Sequence, residues 1–199
     1  MKFIVGVPFF LLIKFSVAAQ PTTFFDKGKT GLRDANGKIT VPAQHDKLGW
    51  SNDTFSLIEG VTGYSVNGRW GVIDVHNKII TPAIYQSLIP AGLQLLAARK
   101  INMADNSTGL INVHGKEVIP FRYHAIAVLD LRVIACVKRS NQCLYGMLDF
   151  NNHVWIPFSY KSIKSLTSLR FSVEDVNNRQ ALYSDLGKPL TAFDYDSIA

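Results

Sequence analysis

The chain has 199 residues, 47% apolar and 18% charged, with 21 Lys and Arg against 15 Asp and Glu. An apolar fraction of that size excludes a disordered or low-complexity protein. The length excludes a large multidomain enzyme and leaves room for one domain or one array of small units.

The N-terminus reads as an export signal. Met1-Lys2 is followed by an apolar stretch over residues 3–13, then by Lys14-Phe15-Ser16-Val17-Ala18-Ala19. A positive start, a short apolar core and small residues before a cut define a secretory signal peptide. Val17 and Ala19 supply the small side chains, so cleavage is expected between Ala19 and Gln20. The stretch is too short to span a bilayer, which takes about 20 residues, and no later segment is apolar enough to do so. The expected organisation is a signal at 1–19 and one domain at 20–199, exported to the periplasm or secreted. Removing 1–19 takes away Lys2 and Lys14 and lowers the formal excess of +6 by two. The remaining basic residues are scattered, without the stripe that marks a nucleic-acid face.

Self-comparison is the informative step. Five segments align over 18 positions without a gap: GLRDANGKITVPAQHDKL from 31, GVIDVHNKIITPAIYQSL from 71, GLINVHGKEVIPFRYHAI from 109, GMLDFNNHVWIPFSYKSI from 146 and ALYSDLGKPLTAFDYDSI from 181. Gly opens four of them (Gly31, Gly71, Gly109, Gly146), and Pro follows in the same four (Pro42, Pro82, Pro120, Pro157). Ala181 and Ala192 replace both in the fifth. An acid or amide stands three after the Gly: Asp34, Asp74, Asn112 and Asp149, with Ser184 last. Turn residues follow, as in Asn36-Gly37 and His114-Gly115, and a ring closes each copy: His45, Tyr85, Tyr123, Tyr160, Tyr195.

Asn-Gly between apolar runs predicts a hairpin whose central residues both take positive φ. The preceding Asp side chain is expected to bond nearby backbone amides. Pro, lacking an N–H, is expected to end the second strand's pairing. Further β-rich runs at 54–59, 93–99, 132–137 and 170–173 supply a third strand. The fold class predicted is all-β: about five three-stranded β-meander repeats in an open twisted stack, with a closed propeller-like ring as the alternative. The first strand of each unit is apolar on both faces, as at Val72 and Ile73, which only stacked neighbours can bury.

The segment Asn67-Gly68-Arg69-Trp70-Gly71-Val72-Ile73-Asp74 resembles the opening of the WG repeat of bacterial proteins. Lys78-Ile79-Ile80-Thr81-Pro82 and Tyr85 fit the rest of that signature. The resemblance extends over about residues 30–198, although the literal Trp-Gly pair occurs once, with Thr30, Thr108, Tyr145 and Gln180 at the matching place elsewhere. It implies an all-β repeat scaffold without a shared catalytic site, used as an interaction module.

No catalytic constellation emerges. There is no His-Glu-x-x-His pattern, no Gly-x-Ser-x-Gly elbow and no phosphate-binding Gly loop. His76 and His114 occupy equivalent turns but lack a third ligand, so no metal or cofactor is expected. Asp34, Asp74 and Asp149 are read as turn supports rather than a carboxylate ladder. Trp70 and Trp155 are assigned to packing, and Trp50 is the expected surface contact for a partner. Cys136 and Cys143 flank a polar turn and are expected to form a disulfide in an oxidising compartment. The function expected is a non-enzymatic protein-binding module, in its sharper form a periplasmic immunity protein that neutralises a bacterial toxin. An envelope-ligand binder, for peptidoglycan or glycan, is the alternative. A hydrolase with a site between repeats comes after it.

Overall fold

A computed structural model describes residues 20–100, 108–140, 142–166 and 169–198. The expected signal segment 1–19, with Ala19, lies outside them. The described regular structure is antiparallel strand in four sheets. The first joins β1 (Thr22–Asp26), β2 (Lys29–Arg33) and β3 (Ile39–His45). The second runs in chain order through β4 (Lys47–Leu48), β5 (Val61–Val66), β6 (Arg69–Asp74), β7 (Ile79–Gly92), β8 (Leu95–Lys100), β9 (Thr108–Asn112) and β10 (Glu117–Tyr123). The third holds β11 (Ala125–Leu129), β12 (Arg132–Arg139), β13 (Gln142–Leu148) and β14 (Val154–Tyr160). The fourth holds β15 (Ser162–Ser165), β16 (Arg170–Glu174) and β17 (Gln180–Ser184). The sheets follow one another as an open series and none closes on itself, so the closed ring finds no support.

The repeat has one strand more than the sequence suggests. The strand after each Asp-led turn runs on and becomes the outer strand of the next unit. β7 shows this directly: its first half pairs with β6 (Val72 opposite Thr81), its second with β8 (Ile89 opposite Ala97). β3–β4, β10–β11 and β14–β15 repeat the arrangement with a single-residue break. The run at 54–59 is not a strand; it lies in a loop that ends in an isolated bridge between Ile58 and Val61.

Pro does not end the pairing either. In all four units the register shifts by two residues between the pair that follows the Gly and the pair that precedes it. Val72 faces Thr81 but Trp70 faces Tyr85; Leu110 faces Ile119 but Thr108 faces Tyr123. The extra residues form a bulge, which is where a strand tolerates Pro. The Gly opposite is required by the same bulge. A Cβ on Gly71 would sit 2.6 Å from the Thr81 carbonyl oxygen and 2.6 Å from the Tyr64 ring. On Gly31, Gly109 and Gly146 it would meet the Val41, Ile119 and Ile156 carbonyls at 2.6–2.8 Å. Gly and Pro therefore form one device, and they are lost together at Ala181 and Ala192.

The cores lie between units. Val72 packs with Trp70, Tyr85, Leu96 and Ile111, whereas its neighbour Ile73 packs on the other face with Leu32, Val41, Leu48 and Tyr64. Leu110 and Ile111 are divided the same way, as are Met147 and Leu148. Each fully buried side chain of this kind contributes about 1.5–3 kcal/mol. The closing rings add a second repeated contact across units. Tyr85 stacks on Phe121 (5.9 Å between centroids), Tyr123 on Phe158 (5.5 Å) and Tyr160 on Phe193 (5.7 Å). Such pairs are worth about 0.5–1.5 kcal/mol beyond their buried area.

Because the Gly71 contacts are partly with rigid backbone, Gly71→Ala should destabilise by about 1–3 kcal/mol. A shift of the urea midpoint to lower concentration with unchanged slope checks this; an unchanged midpoint would contradict the bulge argument.

Candidate functional site

The Asp-led turns come first because they held the carboxylates singled out in the sequence. Asp74 Oδ1 accepts the amides of His76 (2.9 Å) and Lys78 (2.8 Å). Asp34, Asn112 and Asp149 accept the matching pairs at 2.9–3.1 Å, and Ser184 Oγ does so at 3.2–3.3 Å. Asp175, outside the aligned copies, does the same for Asn177 and Arg179. The amide of His153, foremost, holds the Asp149 carboxyl below its ordinary range. These oxygens are committed to backbone. Only the second turn residue takes positive φ (Gly37, Asn77, Gly115, Asn152, Gly187), not both as the hairpin signal implied. The physical reason is that the Asp side chain organises a wider loop with one left-handed residue.

Turns with two left-handed residues occur elsewhere: at Lys27-Gly28, Glu59-Gly60 and the Asn-Gly pair Asn67-Gly68, and at two places that no turn motif marks. Leu93-Gln94 (φ 51° and 58°) joins β7 to β8, and Asp130-Leu131 (φ 44° and 62°) joins β11 to β12. Leu169 (φ 56°) precedes β16 at the equivalent tip. Positive φ is uncommon for any residue with a Cβ, and Leu has no short polar group to bond the local backbone. All three leucines are exposed, at 54%, 55% and 43%. The tips are neighbours along the array. Gln94 Nε2 donates to Glu59 Oε1 (2.9 Å) in the preceding tip, and Ser165 of the fifth unit bonds Asp130 at the tip of the fourth. The tips of the second and third units also abut their own Asp-led turns, since the Val113 amide donates to the Gln94 carbonyl (3.1 Å) and that of Val75 to Gly60 (3.0 Å). Beyond those turns stand exposed Ile39, Ile79 and Val154. One edge of the array thus presents apolar side chains from successive units on backbone fixed by short turns.

The other singled-out residues are placed as follows. Trp50 is a correction: it is fully buried, packs in the core with Trp70 and Val72, and gives its indole N–H to Ser56 Oγ (2.8 Å). A ring of that area gains more by filling the core between the second and third units, with Leu88, Leu96 and Ile111, than by facing water. Trp155 is half-buried, edge-on to His153 (5.6 Å) and beneath the Arg132 guanidinium (5.4 Å). His76 and His114 are exposed in their turns, and among the described residues no three His, Cys, Asp or Glu side chains converge. Cys136 and Cys143 form a disulfide within the β12–β13 hairpin. They are diagonal rather than directly opposite, since Cys136 faces Tyr145 and Cys143 faces Lys138. Gln20 is exposed at the start of the described chain. No helix among the described residues is long and apolar enough to cross a membrane.

The architecture defines an open array of β-meander units whose cores are shared between neighbours. The family model described as WG containing repeat matches residues 70–90 and 109–128. Residues 70–90 and 109–128 are WG repeats. The Trp of the motif stands opposite the closing Tyr of its own unit (Trp70 and Tyr85), as Thr108 stands opposite Tyr123. No curated protein matches the chain. Among solved structures it is similar to the computationally designed Ika8 protein, with 10% identity, a TM-score of 0.42 and coverage of 88% of this chain and 62% of that one. It is also similar to TolB from Acinetobacter baumannii, with 14% identity, a TM-score of 0.35 and coverage of 85% and 49%. The chain therefore spans less than two thirds of either protein, and likenesses this loose say nothing of its activity.

Two outcomes are expected here. Intact protein purified without reductant should be two protons lighter than the reduced form, and reduction should cost at most about 3 kcal/mol because the closed loop is short. Free thiols that alkylate without reductant would contradict the pairing. His45, where the four other copies carry Tyr, is buried 4.8 Å from the Tyr64 ring, and desolvation lowers its pKa below 6.5. The unfolded chain then binds the proton first, so stability present above pH 6.5 declines as pH falls toward the folded value. His45→Phe should flatten that decline in denaturation midpoints taken between pH 5 and pH 7.5; an identical slope in both proteins would count against it.

Proposed function

We propose that this chain is an exported, non-enzymatic protein-binding module that engages its partner through the edge formed by Leu93, Leu131 and Leu169. The observation that carries the reading is the combination at these positions of positive φ and exposure. Leucine there gains little by burial and strains the turn, whereas Asn or Gly would relieve the strain. A side chain that works against the stability of its own turn points to a role outside the folded monomer. Repetition at one edge suits an extended protein surface, because each unit adds a contact at fixed spacing. The committed turn carboxylates support the non-enzymatic reading, and the N-terminal signature supports export. The immunity form of this proposal is the case in which the partner is a toxin from a neighbouring cell.

The test is affinity capture from periplasmic extract with the wild-type chain and with the triple variant Leu93→Asn, Leu131→Asn, Leu169→Asn. The variant should melt at the same or a higher temperature yet lose a saturable protein partner by at least about tenfold in affinity. Equal capture by both would overturn the role of this edge.

A further inference from the structure

A second feature lies away from the leucine edge, between the first and second units. A cleft of about 340 Å³ opens between β1, β2, β4, β6 and the loop that follows Trp50. Its size is at the low end for small-molecule sites, enough for one or two six-membered rings.

Its walls are aromatic. Phe25 on β1 is 77% exposed, the most of any large apolar residue described, and Phe55 in the loop lines the same cleft, 38% exposed. Trp70 and Trp50 lie beneath, nearly or fully buried. A strand gains nothing by holding a bare Phe in water. Two such rings on the lining of one cavity offer contact to something with an apolar face.

The polar groups of the cleft carry opposite charges that cancel locally. Lys29 Nζ bonds Asp46 Oδ1 (2.6 Å), and Asp46 Oδ2 also accepts the Asn67 amide (2.6 Å). Lys47 Nζ bonds Asp53 Oδ1 (2.7 Å). Each carboxylate is paired, so the cleft does not select an anion or a cation. Carboxylate and ammonium groups still accept and donate further hydrogen bonds, and Thr23 and Thr54 belong to the same lining. Apolar ring faces beside neutralised but hydrogen-bonding groups match a molecule with C–H faces and a rim of hydroxyls.

We infer that this cleft binds a neutral saccharide of one or two rings, stacked against Phe25 and Phe55 with its hydroxyls toward Asp46, Lys47 and Asp53. The site is built from other elements than the leucine edge, so it does not depend on the protein-binding reading.

The experiment titrates cellobiose, maltose and N,N′-diacetylchitobiose into the full chain carrying Trp155→Phe, which leaves Trp50 and Trp70 as the emitting indoles. At least one disaccharide should give a saturable change in tryptophan emission. Phe25→Ala, at an exposed ring, should keep the melting temperature and weaken that binding at least about tenfold, and Phe55→Ala should do the same. No saturable change with any of the three up to solubility would overturn the inference, as would unchanged affinity in both Phe variants. Saturation by an aromatic peptide but by no disaccharide would assign the cleft to protein recognition and equally overturn it.

Discussion

One strand in each unit has to bury both its faces, and the rest of the fold follows from that. β6 carries Val72 and Ile73 side by side, both fully buried, in cores that belong to different pairs of units. A single antiparallel sheet normally leaves one face to water. Here neither face can be left, so a unit is complete only between two neighbours. Stability is then distributed over unit interfaces, as in other repeat proteins.

The bulge opposite Gly71 makes this stacking possible. It brings the Thr81 carbonyl against the strand at a distance that no Cβ allows, and it turns the chain so that the closing Tyr85 reaches Phe121 of the next unit. Where the device is absent, at Ala181, the last unit has no regular fourth strand among the described residues. It keeps only isolated bridges, from Gln180 to Tyr195 and from Tyr183 to Pro189. The pairing between the place before the Gly and the closing ring survives even there.

Much of this was legible in the sequence because it repeats. Five aligned copies revealed the turns, the two-faced strand and the role of Asp34, Asp74 and Asp149, since each is a local pattern bound by short-range geometry. The continuation of β7 into the next unit was not legible. Pro82 looked like a terminator until the register shift showed it seated in a bulge. Trp50 stood outside the aligned positions, and only the packing of the second unit on the third shows that it is buried. The leucine tips were invisible for the opposite reason. Leu-Gln and Asp-Leu are not turn pairs, so nothing local announces Leu93 or Leu131 at positive φ; the flanking strand pairing imposes it.

The sequence by itself determined the class of fold, the period, the hairpins, the WG resemblance and the hairpin that carries Cys136 and Cys143, because each rests on residues close together in the chain. The tertiary structure alone decided which apolar side chains are covered and which are presented. That outcome depends on how one unit's faces meet the next, and contacts between units about 40 residues apart leave no mark in any single stretch of sequence. The exposed edge at Leu93, Leu131 and Leu169 and the cleft lined by Phe25 and Phe55 are both products of that meeting.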